Sequence, residues 1–143
     1  MAVHERSVEV DAPPDAVWRV WSDTARWPEW NPDVVEMKVD GPFATGSEAT
    51  MRTRAGRTHR MQLVDVTPLD HFVLATKVAP GMRLHFRCTV KELDPGRSRI
   101  SQGVEMHGPM GALSAWRAAP KIAASFEPIL RGLAQKAEAT TDS

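Results

Sequence analysis

Tyrosine is absent from the 143 residues, cysteine occurs once, no apolar run approaches the length of a membrane span, and 18 basic and 18 acidic residues cancel. Each gap closes off a class of function. Without tyrosine, no phenol is available as an acid in a pocket. The single cysteine, Cys88, excludes an internal disulfide, and its neighbours Leu84, Phe86 and Val90 mark it as a small core hydrophobe rather than a nucleophile. A membrane helix needs about 20 apolar residues and the first residues, MAVHERSVEVD, hold no signal core, so a cytoplasmic protein without membrane insertion is expected. The basic residues are scattered except for Arg52, Arg54, Arg57 and Arg60, which share a hairpin with Glu48 and read as a solvated strand face, so no nucleic-acid partner is expected. The chain carries no G-x-G-x-x-G, no P-loop and no ligand-like His/Cys/Asp spacing, so neither a cofactor nor a metal is expected.

What is present is tryptophan, concentrated in one place. Trp18, Trp21, Trp27 and Trp30 all fall within residues 12–32, APPDAVWRVWSDTARWPEWNP. Pro13 and Pro14 end a first strand over residues 5–11 and open a helix whose Val17, Trp18 and Trp21 share a face. Trp27 and Trp30 then fall on a second short helix or turn, and Pro28 and Pro32 keep the two segments from fusing.

Between residues 34 and 107 the chain reads as successive strands separated by Gly, Pro and Asp turns such as 40–42, 55–56, 80–81 and 94–96. With the first strand, that makes about seven strands, connected tightly enough for an antiparallel meander. Apolar alternation assigns one parity to the interior: Val35, Met37 and Val39; Ala49, Met51 and Thr53; His59, Met61 and Leu63; Phe72, Leu74 and Thr76; Leu84, Phe86, Cys88 and Val90; Ile100, Gln102, Val104 and Met106. Apolar residues switch parity at Val64 and Val66, so a bulge near Leu63 would decide whether His59 or Arg60 points inward. After Gly108 the period becomes helical, with Trp116, Phe126, Leu130 and Leu133 on one face over residues 110–138, and Pro120 and Pro128 are expected to kink or interrupt that helix. One domain over residues 1–143 is expected, with 139–143 as a disordered tail, large enough to bury roughly two thirds of its unfolded surface and still enclose a pocket.

The motif Ala12, Pro13, Val17, Trp18, then Asp23, Trp27, Trp30 and Pro32, continued by Gly46-Ser47, Val66-Thr67-Pro68 and Gly108-Pro109, resembles the START-like superfamily and, within it, the polyketide cyclase/dehydrase group. The resemblance covers nearly the whole chain. It implies an α+β helix-grip fold: a curved antiparallel sheet of about seven strands around a long C-terminal helix, two short helices after the first strand, and a ligand pocket between sheet and helix. It does not fix chemistry, because the superfamily hosts cyclases, lipid and quinone binders and chaperone activators.

The interior parity supplies Met37, Met51, Thr53, Met61, Leu74, Phe86, Gln102 and Met106 as candidate lining of such a pocket, and the tryptophan motif and the helical face add Trp30 and Trp116. Flexible thioethers suit an irregular apolar ligand, and they serve equally well to fill a core between sheet and helix. Trp27 reads as architectural, and Trp30, beside the Asn31-Pro32 turn, as the pocket residue. The expected partner is a small hydrophobic ligand, with the protein a monomer or homodimer. Cyclising or dehydrating a poly-β-ketone would need an inward base. Of the five histidines only His59 shares interior parity, whereas His4 is terminal and His71, His85 and His107 read as solvated. His59 is therefore the candidate base, with Thr53 and Gln102 as orienting donors, if the pocket is catalytic at all.

Overall fold

The computed structural model describes residues 3–79, 81–107 and 119–141. Seven strands, β1 (Val3–Val10), β2 (Val34–Asp40), β3 (Glu48–Thr53), β4 (Thr58–Thr67), β5 (His71–Ala79), β6 (Met82–Asp94) and β7 (Arg97–His107), form one antiparallel sheet in the order β1-β7-β6-β5-β4-β3-β2. From β2 to β7 this is the expected meander. Only β1 is displaced, pairing with β7 at the far edge, so the helices that follow it cross one end of the sheet before β2 begins at the other edge.

Helix α1 (Pro14–Ser22) starts on proline, whose missing N–H is no loss where helical N–H groups have no partner. The N–H groups of Ala16 and Val17 instead donate to the Pro13 carbonyl at 3.0 and 3.3 Å. Its buried face is Ala16, Val17, Val20 and Trp21. A 3-10 helix (Thr24–Glu29) follows, with Pro28 inside it, and Trp30 closes it by donating its backbone N–H to the Trp27 carbonyl. The start of α1 is tied to β7 by the buried Ser98 hydroxyl, which donates to the Ala12 carbonyl at 2.8 Å.

The C-terminal helix is interrupted as its prolines require. Helix α2 (Ala119–Ala124) ends at Ser125, whose N–H and hydroxyl both donate to the Ile122 carbonyl, and α3 (Phe126–Thr141) begins anew. Pro128 thus lies in the first turn of α3, where no intrahelical donor is needed. Residues 139–141 continue the helix instead of forming a tail. Trp116 and the Gly108-Pro109 approach to the helix lie outside the described residues.

Alternation placed the inner face well, with one correction. Val35, expected inside, is 44 % exposed, and Val34 is buried instead. The cause is a bulge between Val34 and Glu36 that inserts one residue and resets the parity at the start of β2. The second bulge, between Leu63 and Asp65, leaves His59, Met61 and Leu63 on interior parity and lets Val66 turn inward beyond it.

On the outer side of the sheet, His71 is not a freely solvated histidine. Its ring, 17 % exposed, is held between Asp65 (Nε2 to Oδ2, 2.8 Å) and Asp70 (Nδ1 to Oδ2, 2.6 Å). Hydrogen bonds to Asp65 and Asp70 raise its pKa above the ordinary 6.5, against an opposing effect of burial, and the same bond to His71 lowers that of Asp65. A raised histidine pKa contributes stability that is complete below the unfolded value and lost as pH rises through the folded one; the lowered Asp65 contribution is lost only as acid protonates it. Thermal unfolding of the wild type and His71→Asn should therefore differ most at pH below the ordinary histidine value of 6.5 and converge as pH rises above it through the raised folded value. A difference independent of pH would show that the variant loses packing and not charge.

Candidate functional site

The concave face of the sheet, α2 and the beginning of α3 do not close completely on one another. Between them lies a cavity of about 190 Å³. Its floor is interior-parity residues of five adjacent strands: Met51 and Thr53 on β3, Met61 on β4, Phe72 and Leu74 on β5, Phe86 and Cys88 on β6, and Gln102 on β7. The opposite wall is Ile122, Ser125, Phe126 and Ile129. At the end where α1 and the 3-10 helix cross the sheet, Trp21, Trp27, Trp30, Asn31, Asp33 and Val34 complete the lining.

Tryptophans enter this wall as one packed group. The Trp27 and Trp30 rings lie 5.4 Å apart between centroids, and Trp21 meets Phe72 edge-on at 5.1 Å. The Trp27 indole N–H donates to the Trp21 carbonyl at 2.8 Å, joining the 3-10 helix to α1. Trp27 is architectural in that bond and borders the cavity with its ring. Behind Trp30, Lys136 Nζ on α3 donates to Glu29 Oε1 at 2.5 Å, a bond that lowers the Glu29 pKa.

Of the candidate lining residues, Trp30, Met51, Thr53, Met61, Leu74, Phe86 and Gln102 come together around the cavity. Met37 and Met106 are buried on the same inner surface, outside its lining. Trp116 lies outside the described residues. His59 is half-buried on β4, opposite Met51 in the β3–β4 ladder, and is not among the lining residues; it borders a shallow groove with Arg60, Lys77 and Arg83.

Parity had no means of finding Asn31 and Asp33, which belong to a turn where no two-residue period applies. Their signal was adjacency to Trp30. Asn31 is buried, its Oδ1 accepting the Asp33 N–H at 3.0 Å, and Asp33 is exposed at the rim. Asp33 and Cys88 are the titratable residues among the described lining. Burial pushes the Cys88 thiol up to about 12, which keeps it neutral.

Two more histidines meet on the outer face, His85 on β6 and His107 on β7, with ring centroids 4.0 Å apart. Burial, and then the neighbouring His107, lower the His85 pKa. His107 Nε2 lies 3.2 Å from Glu105 Oε2. Among the described residues no group of three His, Cys, Asp or Glu is arranged to hold a metal ion, and no helix is long and apolar enough to cross a membrane.

A curved sheet closed by a C-terminal helix over an internal, mostly apolar cavity is the START-like helix-grip fold. The model of the family described as polyketide cyclase/dehydrase and lipid transport matches residues 1–138, and the chain belongs to that family. Among curated proteins no sequence matches. Among solved structures, the di-domain ARO/CYC BexL from the BE-7585A biosynthetic pathway is similar over 100 % of this chain at 19 % identity and TM-score 0.75. This chain spans 48 % of that protein, about half its length. A protein from Thermobifida fusca is similar at 22 % identity and TM-score 0.73, over 96 % of this chain and 93 % of its own. A START superfamily protein from Mycobacterium smegmatis is similar at 13 % identity and TM-score 0.67, over 98 % of this chain and 97 % of its own. At these identities the likeness is one of fold.

Proposed function

We propose that the cavity binds a small, largely apolar ligand, and that binding or carriage, rather than cyclisation, is what the described lining supports best. The observation that carries this reading is the lining itself: aliphatic, thioether and aromatic side chains contributed by sheet and helix together, with a few uncharged polar groups among them. Chemistry on a poly-β-ketone would need a base within reach of the substrate. The described lining offers an exposed carboxylate, Asp33, and a thiol held neutral, Cys88. His59, the base suggested by parity, is outside it. The cyclase named in the BexL structure belongs to a di-domain protein, and a share in such chemistry for this chain would rest on Asp33 at the rim or on His59 reaching in.

Titration with a hydrophobic fluorophore such as 1-anilinonaphthalene-8-sulfonate tests the reading. Saturable binding is expected, weakened about tenfold or more by Met51→Glu, roughly 1.4 kcal/mol, because a carboxylate would have to desolvate as the apolar probe enters. Met51 is only partly buried, so the variant should retain a cooperative unfolding transition. His59→Ala should keep the wild-type affinity. Absence of saturable binding in the folded wild type would reject the cavity as a ligand site.

A further inference from the structure

The outer face of the sheet matches charges well where β1 and β7 meet. There Arg97 reaches Glu9, Asp11 and Asp94, and Arg99 reaches Glu9. One row across the middle of the same face departs from this pattern. Lys77 and Arg83, both exposed, are directly opposite each other in the β5–β6 ladder, an arrangement of like charges that costs stability unless a counter-charge stands nearby. Neither makes an ion pair among the described residues.

Arg60 on β4 joins them from the other side. Pairing between β4 and β5 ends at Met61 and Thr76, one position short of setting Arg60 against Lys77, although β4 reaches back to Thr58 and β5 runs on to Ala79. The Thr76 hydroxyl donates to the Arg60 carbonyl at 2.9 Å beside that last pair. Beyond it lies a groove of about 550 Å³, bordered by Arg60, Lys77 and Arg83 together with Thr58 and Gln62. Its one carboxylate among the described lining is Glu48, 3.8 Å from Arg60 in a pair that is largely exposed and therefore weak. Three cations from three adjacent strands thus face one groove with one loosely held counter-charge.

We propose that this groove binds a compact polyanion, a diphosphate group either free or esterified to a small organic molecule, held by Arg60, Lys77 and Arg83. The three positions span two strand spacings, about 10 Å, so a single carboxylate could not serve all of them, whereas a diphosphate presents charged oxygens at both ends. The neighbouring row sets the limit on length. It runs Glu48, Gln62, Ala75, His85 and Glu105, with a carboxylate at each end and no carboxylate between. An extended polyanion such as a nucleic acid would meet those carboxylates, and a compact one lies between them.

Calorimetry of the full chain with inorganic pyrophosphate, at low salt and without magnesium, makes the test. Saturable binding is expected, weakened about tenfold by Lys77→Ala and by Arg83→Ala, and unchanged by Arg99→Ala on the same face. Glu48→Gln should tighten it about threefold by releasing Arg60. All four side chains are exposed, so each variant should keep the wild-type Tm. Orthophosphate should bind about tenfold more weakly than pyrophosphate, since it spans fewer of the cations. Uridine diphosphate separates the two sources: tighter binding than pyrophosphate supports an esterified ligand, and weaker binding supports free diphosphate. No saturable binding of pyrophosphate, or equal affinity in the wild type, Lys77→Ala and Arg83→Ala, would overturn the inference. Binding of a DNA duplex without binding of pyrophosphate would overturn it in favour of an extended polyanion.

Discussion

Phe72→Ala should lower the free energy of unfolding by about 4 kcal/mol, a large part of the roughly 5–15 kcal/mol available to a domain of this kind. Phe72 is 1 % exposed and stands at the centre of the aromatic group, with ring centroids 5.1 Å from Trp21 and from Phe43, 6.2 Å from Trp27 and 6.3 Å from Trp18. These neighbours come from α1, the 3-10 helix and the β2–β3 connection, while Phe72 itself stands on β5, so the ring is the common contact of segments distant in the chain. Its truncation removes transferred apolar surface and four edge-on or tilted ring contacts, and large rigid neighbours refill such a space poorly. Urea unfolding should show a lowered midpoint with an unchanged slope. A loss under about 1.5 kcal/mol would mean that the tryptophans collapse into the vacated volume. Because Phe72 also borders the cavity, the same variant should accept a bulkier ligand than the wild type.

Gly132→Ala is expected to destabilise by about 3 kcal/mol, although alanine in a helix interior ordinarily gains about 1 kcal/mol over glycine. The sign is decided by one contact. A Cβ on Gly132 would fall within the van der Waals surface of the Trp30 carbonyl oxygen and 3.1 Å from its carbonyl carbon. Both partners are backbone, in α3 and at the end of the 3-10 helix, so neither can yield as a flexible side chain would. Relief requires α3 to move away from Trp30, straining the Lys136 to Glu29 bond and opening the wall of the cavity. A fall in Tm of roughly 10 °C, with weaker ligand binding, is the expected result. A Tm equal to or above that of the wild type would show that helix propensity outweighs the contact and that α3 shifts freely.

Much of this molecule was legible before folding because two-residue alternation is a local property: each strand's interior face follows from which side chains avoid water. Seven strands, their antiparallel order from β2 to β7 and seven of the cavity-lining residues follow from that pattern together with the family resemblance. The break at Ser125 was announced by Pro128, since a missing N–H acts wherever the chain packs. Parity failed where the period itself was interrupted. The bulge at Val35 exchanged Val35 for Val34, and the turn at Asn31 and Asp33 has no period to read.

The sequence by itself determined the strands, the apolar face and the tryptophan-rich crossing, because these depend on spacing along the chain. Only the tertiary structure decided which interior residues meet empty space and which fill core: Met51 and Met61 border the cavity while Met37 and Met106, on the same parity, do not. It alone left the Trp30 indole N–H without an acceptor among the described residues while pairing that of Trp27, and it alone set His59 outside the described lining. Those outcomes depend on how far α3 stands from the sheet, a distance held by Gly132 against Trp30 and by contacts between residues about a hundred positions apart, such as Lys136 with Glu29. No local pattern encodes such a separation, because it is the joint result of all the side chains packed between helix and sheet.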